Sequence, residues 1–368
     1  MITLAEIVRR HGAEYRARFE NRMPLDQRRA MQAIGVCRTP ALGGHRWHCP
    51  ECGEDRFSYH SCGNRHCPAC GHDDAQLWLN RQQALLLPVT YHLCTFTVPE
   101  ALRRPIRSHP REALAILFQA ASSSLLNLCA NPRWFGAMPG VSGVLHTWTR
   151  QLEYHPHIHF LVTGGGVAPD GSWKTPSGSF LVPVTALSAV FRARFRDALR
   201  KELPTVFAQI APETWTRAWV VHSKPVGRGE KALLYLSRYI YRVAISNRHI
   251  LSADSQAIRF RYRRSEDGQS RVSSLPPMEF LRRFLQHVLP SHFVKVRHFG
   301  LHHPARRATL SLMRAALYLK LNQPKSCPAR PSRASITARA PFALMQNASV
   351  IAPRLVQHRV ARCATAPC

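Results

Sequence analysis

The sequence predicts an α+β fold: an antiparallel sheet forms the larger part, and a small cysteine-rich domain precedes it. Three observations carry that reading. Two apolar runs, Val141 to Trp148 and His157 to Thr163, flank a polar stretch and stop at Gly164, Gly165 and Gly166, as a β-hairpin would. Helical patterns long enough to cover a sheet stand on either side, from Pro110 to Ala130 and from Val184 to Leu203. Ahead of both, six of the 11 cysteines fall between Cys37 and Cys70.

In chain order, residues 1–36 read as a helical lead-in, with apolar periodicity over 4–19 and 25–34 and arginines on the outer face. Residues 37–88 read as a zinc-binding domain. Cys49-x2-Cys52 and Cys67-x2-Cys70 are two knuckles, each followed by Gly, a spacing in which paired thiolates on tight turns reach one tetrahedral Zn2+. Cys37 and Cys62, with His45, His48, His60 or His66, supply donors for a second ion. A segment this short buries too little apolar surface to fold alone, so metal ligation would hold it. Arg46, Arg56 and Arg65 are then placed to grip DNA.

Residues 89–310 read as one catalytic domain. A helix over 73–87 leads in and breaks at Pro88, and Tyr91 to Val98 alternates as a strand. The helix 110–130, the hairpin and the helix 184–203 follow, and a further strand is expected over 214–223. Beyond these, 258–262 and 270–274 pair around the turn signal Asp267-Gly268, with Arg259, Arg261, Arg263 and Arg264 lining the hairpin. A helix over 277–289 and a strand over 293–299 complete the domain. Residues 311–368 hold a short helix and then a basic tail: 322–368 carry seven Lys plus Arg and no acid, a composition that reads as disordered.

Charge narrows the partner. Lys plus Arg number 51 against 21 Asp plus Glu, a net charge of +30, and a field of that sign draws polyanions, nucleic acid first. The N-terminus lacks the basic-then-apolar order of a signal peptide, and no apolar run reaches membrane-spanning length, so a cytoplasmic location with the nucleoid DNA is expected. In that compartment the cysteines would bind metal or stay buried as thiols.

Two clusters carry chemistry. Strand side chains alternate faces, so His157 and His159 point the same way with Ile158 turned inward, half of a divalent-metal site. His146 on the neighbouring strand is the candidate third ligand, with Gln151 and Glu153 behind it. Further on, K-A-L-L-Y-L-S-R-Y-I-Y-R reads as a helix, and Tyr235 and Tyr239 lie one turn apart on its face. A phenol attacking phosphorus forms a phosphotyrosine when a divalent ion polarises the phosphate, and two such phenols permit two cleavages in succession. Arg238 lies beside the pair as a phosphate holder, and Lys231, Arg242 and Arg248 are general DNA contacts. Tyr241 faces away. The bland reading of each cluster is core or surface packing.

His157-Ile158-His159 resembles the His-hydrophobe-His motif of HUH single-strand endonucleases, and Tyr235 and Tyr239 resemble their tyrosine helix. With C-R-T-P-A-L-G-G-H, N-R-H-C-P-A-C, L-H-T-W-x-R-Q-L-x-Y-H-P-H-I-H, Y-L-S-R-Y-I-Y-R-V-A-I-S-N-R and V-R-H-F-G, the chain resembles a two-tyrosine transposase of the insertion-sequence-91 family over residues 10–318. The resemblance implies an HUH endonuclease domain and rolling-circle transposition. One tyrosine would attack single-stranded DNA at an element end, keep the 5′ phosphate and leave a 3′ hydroxyl, with Mg2+ or Mn2+ on the histidines. No nucleoside triphosphate would enter. The chain departs from the family at Cys327-Pro328-Ala329-Arg330, where members carry a Cys-Pro-x-Cys knuckle, and at Ser291-His292, where a Lys-Gly turn is usual.

Two other classes fit parts of the pattern. A hydrolase using a metal-bound water would need further carboxylate or histidine ligands, and the conspicuous later pair is tyrosine. A non-catalytic zinc-dependent DNA-binding protein would fit the charge and the cysteines alone.

Overall fold

The computed structural model describes residues 2–70, 72–176, 181–240, 244–264 and 267–322, without the side chains of 72–74 and 238–240. These residues belong to one compact unit, Met1–Gln323. The tail expectation, including Cys327 to Arg330, lies outside them.

The N-terminal part runs α1 (Leu4–Phe19), α2 (Leu25–Val36), β1 (Gly44–His48), β2 (Asp55–Tyr59) and α3 (His72–Gln83). Thr3 begins α1 with a capping box: its hydroxyl accepts from the Glu6 amide while the Glu6 carboxylate takes the Thr3 amide. The larger part follows as β3 (Tyr91–Thr97), α4 (Arg103–Ser108), α5 (Pro110–Ala130), β4 (Met138–Trp148), β5 (Tyr154–Val167), β6 (Trp173–Lys174), α6 (Val184–Glu202), α7 (Pro204–Ala208), β7 (Val221–Pro225) and α8 (Glu230–Ile240). It closes with β8 (Ile250–Ala253), β9 (Ile258–Arg263), β10 (Ser270–Leu275), α9 (Pro277–Leu285), β11 (Val296–Gly300) and α10 (Arg307–Asn322).

The main sheet is antiparallel, in the order β11-β4-β5-β3-β7, with β6 added at the end of β5. Both faces are covered, which is why β4 and β5 read as nearly continuous apolar runs. On one face α5 and α6 bury Val141, Leu145, Ile158 and Phe160 beneath Leu117, Phe118, Phe191 and Phe195. Gly143 permits that packing, since a Cβ there would stand 2.3 Å from the Phe160 ring. On the other face Val144 and Leu161 meet Leu233 and Leu236 of α8 and Leu79 of α3. Helix α5 is long and apolar enough to cross a membrane, but it serves here as the core helix under the sheet.

A second core joins distant parts of the chain. Leu4, Ile7, Met31 and Ile34 of the first two helices pack with Ile258 and Phe260 of the small sheet β8-β9-β10 and with Phe280 and Phe284 of α9. The Asn247 side chain accepts from the Leu4 amide at 3.0 Å, and Arg10 donates to the Ala253 carbonyl at 3.0 Å. The N-terminal helices therefore do more than lead into the cysteine segment: they form half of this core.

Several boundaries differ from the sequence reading. The expected strand over 214–223 is a 3-10 turn at Pro212–Trp215 followed by β7, because Trp219 turns into the aromatic cluster of Phe191 and Phe195. β4 is longer at its outer end and β5 at both ends than the apolar runs suggested, and the helix expected over 277–289 stops at Leu285. β8, which carries no strong period, was not foreseen.

Candidate metal centre, tyrosine cleft and cysteine cluster

The β4–β5 register places His146 directly opposite His157, and Val144 opposite His159. Three imidazoles thereby converge, with one ligand atom from each lying within 4.8 Å of the others. Ring centroids are 4.5 Å apart for His146 and His159, 5.2 Å for His146 and His157, and 4.9 Å for His157 and His159. Burial holds all three neutral: His157 is lowered to about 4, His159 to about 3, and His146 well below the ordinary histidine value. Neutral imidazoles are what a divalent cation needs.

Neighbouring atoms orient two of the rings. His157 Nδ1 lies 2.7 Å from the His155 carbonyl, which can only accept, so Nδ1 carries the proton and Nε2 is left with its lone pair. His159 Nδ1 lies 2.8 Å from the Thr95 hydroxyl, across the β3–β5 register that pairs these residues. Such partners fix tautomer and ring angle in metal sites. Thr95 was missed from the sequence, where a threonine in Y-H-L-C-T-F-T-V is unremarkable. Gln151 and Glu153 do not stand behind His146: Gln151 donates to the Tyr262 hydroxyl at 2.9 Å, and Glu153 faces Arg283 at 4.0 Å.

A cleft of about 1070 Å³ opens beside the triad, lined by His159 and Thr95 on one side and by Tyr235 with Lys224, Arg228 and Lys231 on the other. Tyr235 is 40% exposed, an accessible phenol on a helix whose neighbouring Leu233 and Leu236 are buried. Gly227 and Gly229 turn the chain from β7 into α8 at φ 64° and 89°, and at Gly229 a Cβ would press on the Tyr91 ring at 3.0 Å. Tyr239 lies one turn further along α8, and its side chain, with that of Arg238, falls outside the description; so does Arg242. Arg248 is exposed in the turn before β8.

Lys295 was also missed. Its ammonium is buried 4.8 Å from the Trp148 ring, which stacks at 5.6 Å on His146. Burial, helped by Arg65, lowers its pKa to about 7. The signal was present in F-V-K-V-R-H-F, where a lysine interrupts an apolar strand.

The cysteines group differently from the spacing argument. Cys37, at the end of α2, meets Cys62, Cys67 and Cys70 from the loop between β2 and α3, with their sulfurs within 4.8 Å of one another and three contacts of 3.6 to 3.7 Å. Zn–S bonds of about 2.3 Å in a tetrahedron place sulfurs about 3.8 Å apart, so four thiolates in this arrangement fit zinc. Cys49 and Cys52 stand apart at the tip of the β1–β2 hairpin and do not complete a set with Cys67 and Cys70. Burial pushes the Cys62 thiol up to about 12 and raises Cys67; for Cys70, burial is outweighed by hydrogen bonds from Cys37, Cys62 and Cys67, which lower it.

The arginines expected to grip DNA divide. Arg65 donates to the Phe293 carbonyl at 2.7 Å and the Pro290 carbonyl at 2.9 Å, fastening the cysteine loop to the chain before β11. Arg46 pairs with Asp55 at 2.6 Å, and Arg56 is exposed.

Comparison with known proteins agrees with the two parts. A family described as "Putative transposase" matches residues 140–309, and the transposase zinc-binding domain of the insertion-sequence-91 family matches residues 7–98. "Putative transposase y4qJ" of Sinorhizobium fredii (strain NBRC 101917 / NGR234) is 36% identical over 81% of this chain and 79% of its own. The transposase for insertion sequence element IS801 of Pseudomonas savastanoi pv. phaseolicola is 30% identical over 72% of this chain and 67% of its own. Among solved structures, the conjugative relaxase TrwC in complex with oriT DNA is 19% identical over 29% of this chain and 41% of its own, with a TM-score of 0.25, a likeness too slight to bear on fold or chemistry. An antiparallel-sheet domain preceded by a cysteine-clustered zinc-binding domain, and relatives matched along most of its length, place this chain in the insertion-sequence-91 family of transposases.

Proposed function

We propose that this transposase nicks and joins single-stranded DNA at element ends through a 5′-phosphotyrosine, the chemistry of rolling-circle transposition, in the cytoplasm where the DNA lies. The observation that carries it is Tyr235, an exposed phenol in one cleft with His159 of the triad, their ring centroids 6.1 Å apart.

His146, His157 and His159 would hold Mg2+ or Mn2+, which when bound polarises a non-bridging oxygen of the scissile phosphate. Lys224, Arg228 and Lys231, lining the cleft, neutralise the phosphates on either side. The Tyr235 oxygen attacks phosphorus, the Oη–P bond forms and the P–O3′ bond breaks. The phenolic proton leaves to solvent, and the departing 3′ oxygen takes one up. A DNA 3′ hydroxyl attacking the phosphotyrosine reverses these changes, so the bond energy is conserved without nucleoside triphosphate. Tyr239, one turn along the same helix, is the second nucleophile. Cys37, Cys62, Cys67 and Cys70 hold a structural zinc.

Incubating the protein with end-labelled single-stranded oligonucleotides carrying element ends, with and without Mg2+ or Mn2+, tests this on a denaturing gel. Metal-dependent cleavage that His157→Ala removes is expected. Tight binding with no cleavage under any metal would leave a zinc-dependent DNA-binding protein instead.

A further inference from the structure

The small sheet offers a second surface. β9 sends Ile258 and Phe260 into the core shared with α1 and α9, and this turns Arg259, Arg261 and Arg263 together onto the opposite, exposed face. Their cross-strand partners on β10 are Ser274, Val272 and Ser270, so no acid stands opposite any of them. Among the described residues, Arg261 and Arg263 have no ion pair or side-chain hydrogen bond, and Arg259 reaches Asp254 only at 3.5 Å. Successive side chains on one strand face lie about 6.7 Å apart, so the three guanidinium groups form an evenly spaced row. A row of like charges with a single long ion pair opposes folding slightly, and a polyanion removes that cost.

The row is tied to the metal-bearing hairpin. Arg150, in the turn between β4 and β5, donates to the carbonyls of Arg263 and Arg264 at 2.6 and 3.1 Å, and Gln151 donates to the Tyr262 hydroxyl at 2.9 Å. Leu152 in the same turn is buried in the shared core and held at φ 63°, an unusual conformation for a leucine. From Gln151 to His157 is six residues of hairpin, at most about 20 Å of strand. A DNA strand seated on the row is therefore held in fixed relation to the triad.

We propose that Arg259, Arg261 and Arg263 form a phosphodiester-binding platform for the single strand that continues out of the metal cleft. This rests on the nuclease reading for the strand's identity, while the platform itself needs only the charge and the geometry.

The test is binding of a labelled single-stranded oligonucleotide to the full chain, by fluorescence anisotropy across a series of salt concentrations. Each lost phosphate contact on a single strand lowers the slope of log K against log salt by about 0.7, so R259Q/R261Q/R263Q should lower it by about 2. A control removing equal charge from the α6 side, R196Q/R200Q/R217Q, should change the slope by less than about 0.7. Equal slopes for the two triple variants, or a loss seen with duplex and not with single strand, overturns the proposal. A parent protein that cleaves no substrate yet shows the expected loss sinks the nuclease reading and leaves the platform standing.

Discussion

The Tyr235 ring stands edge-on to His159, with centroids 6.1 Å apart and planes crossing at 88°. That relationship joins two elements far apart in sequence, strand β5 and helix α8, and the proposed mechanism needs such closeness for one phosphate to reach both the histidines' metal and the phenol. On the proposed mechanism it also suggests an order to test: Tyr239 lies about 6 Å further along the helix axis, so Tyr235 is expected to attack first.

Thr95→Val should weaken the metal centre without unfolding the protein. The change keeps the shape of a β3 side chain and removes the hydroxyl 2.8 Å from His159 Nδ1. Mn2+ affinity, measured by titration calorimetry, should fall about 10- to 100-fold. An unchanged affinity would mean that Thr95 does not orient the ring.

Zinc content separates the cysteines. Cys37→Ser should lose the bound ion and lower the melting temperature, since it removes one of the four clustered sulfurs. Cys49→Ser with Cys52→Ser should leave that ion in place. Elemental analysis of the purified proteins decides between them, and loss of all zinc from the second variant would restore the ribbon pairing that the spacing suggested.

Acid should destabilise the protein through His287. This imidazole is buried between Thr147 and the Leu152 carbonyl, and burial lowers its pKa to about 4, with Lys295 contributing. Its folded value lies below the unfolded one of about 6.5, so the neutral form costs nothing above pH 6.5 and stability falls as pH drops from 6.5 toward 4. At pH 5 the loss is on the order of 2 kcal/mol. The triad histidines, lowered likewise, add losses of the same sign, so urea unfolding at pH 7 and pH 5 should show a larger total, and His287→Gln should cut it by about 2 kcal/mol; a variant with the full acid loss would place none of it on His287.

How far the sequence reached follows from the range of each signal. The triad was legible because strand alternation is local: His157 and His159 must share a face, and a short hairpin brings His146 opposite. Thr95 was not, because β3 joins β5 only through a register that nothing in either strand announces. The cysteines misled for a similar reason. Even spacing suggested that the two Cys-x2-Cys knuckles pair, whereas the helix end at Cys37 and the buried loop around Cys67 bring in Cys37 and Cys62 instead. Arg65 looked like a free DNA contact and is a clamp between distant segments, since its carbonyl partners lie more than two hundred residues away.

The most direct measurement is peptide mapping, by mass spectrometry, of the covalent adduct formed with a single-stranded element end in Mn2+. The mechanism predicts the nucleotide on Tyr235, an adduct abolished by chelator, by His159→Ala and by Tyr235→Phe. An adduct on another residue, or one that forms equally in chelator, would contradict the placement of the scissile phosphate between Tyr235 and the histidines.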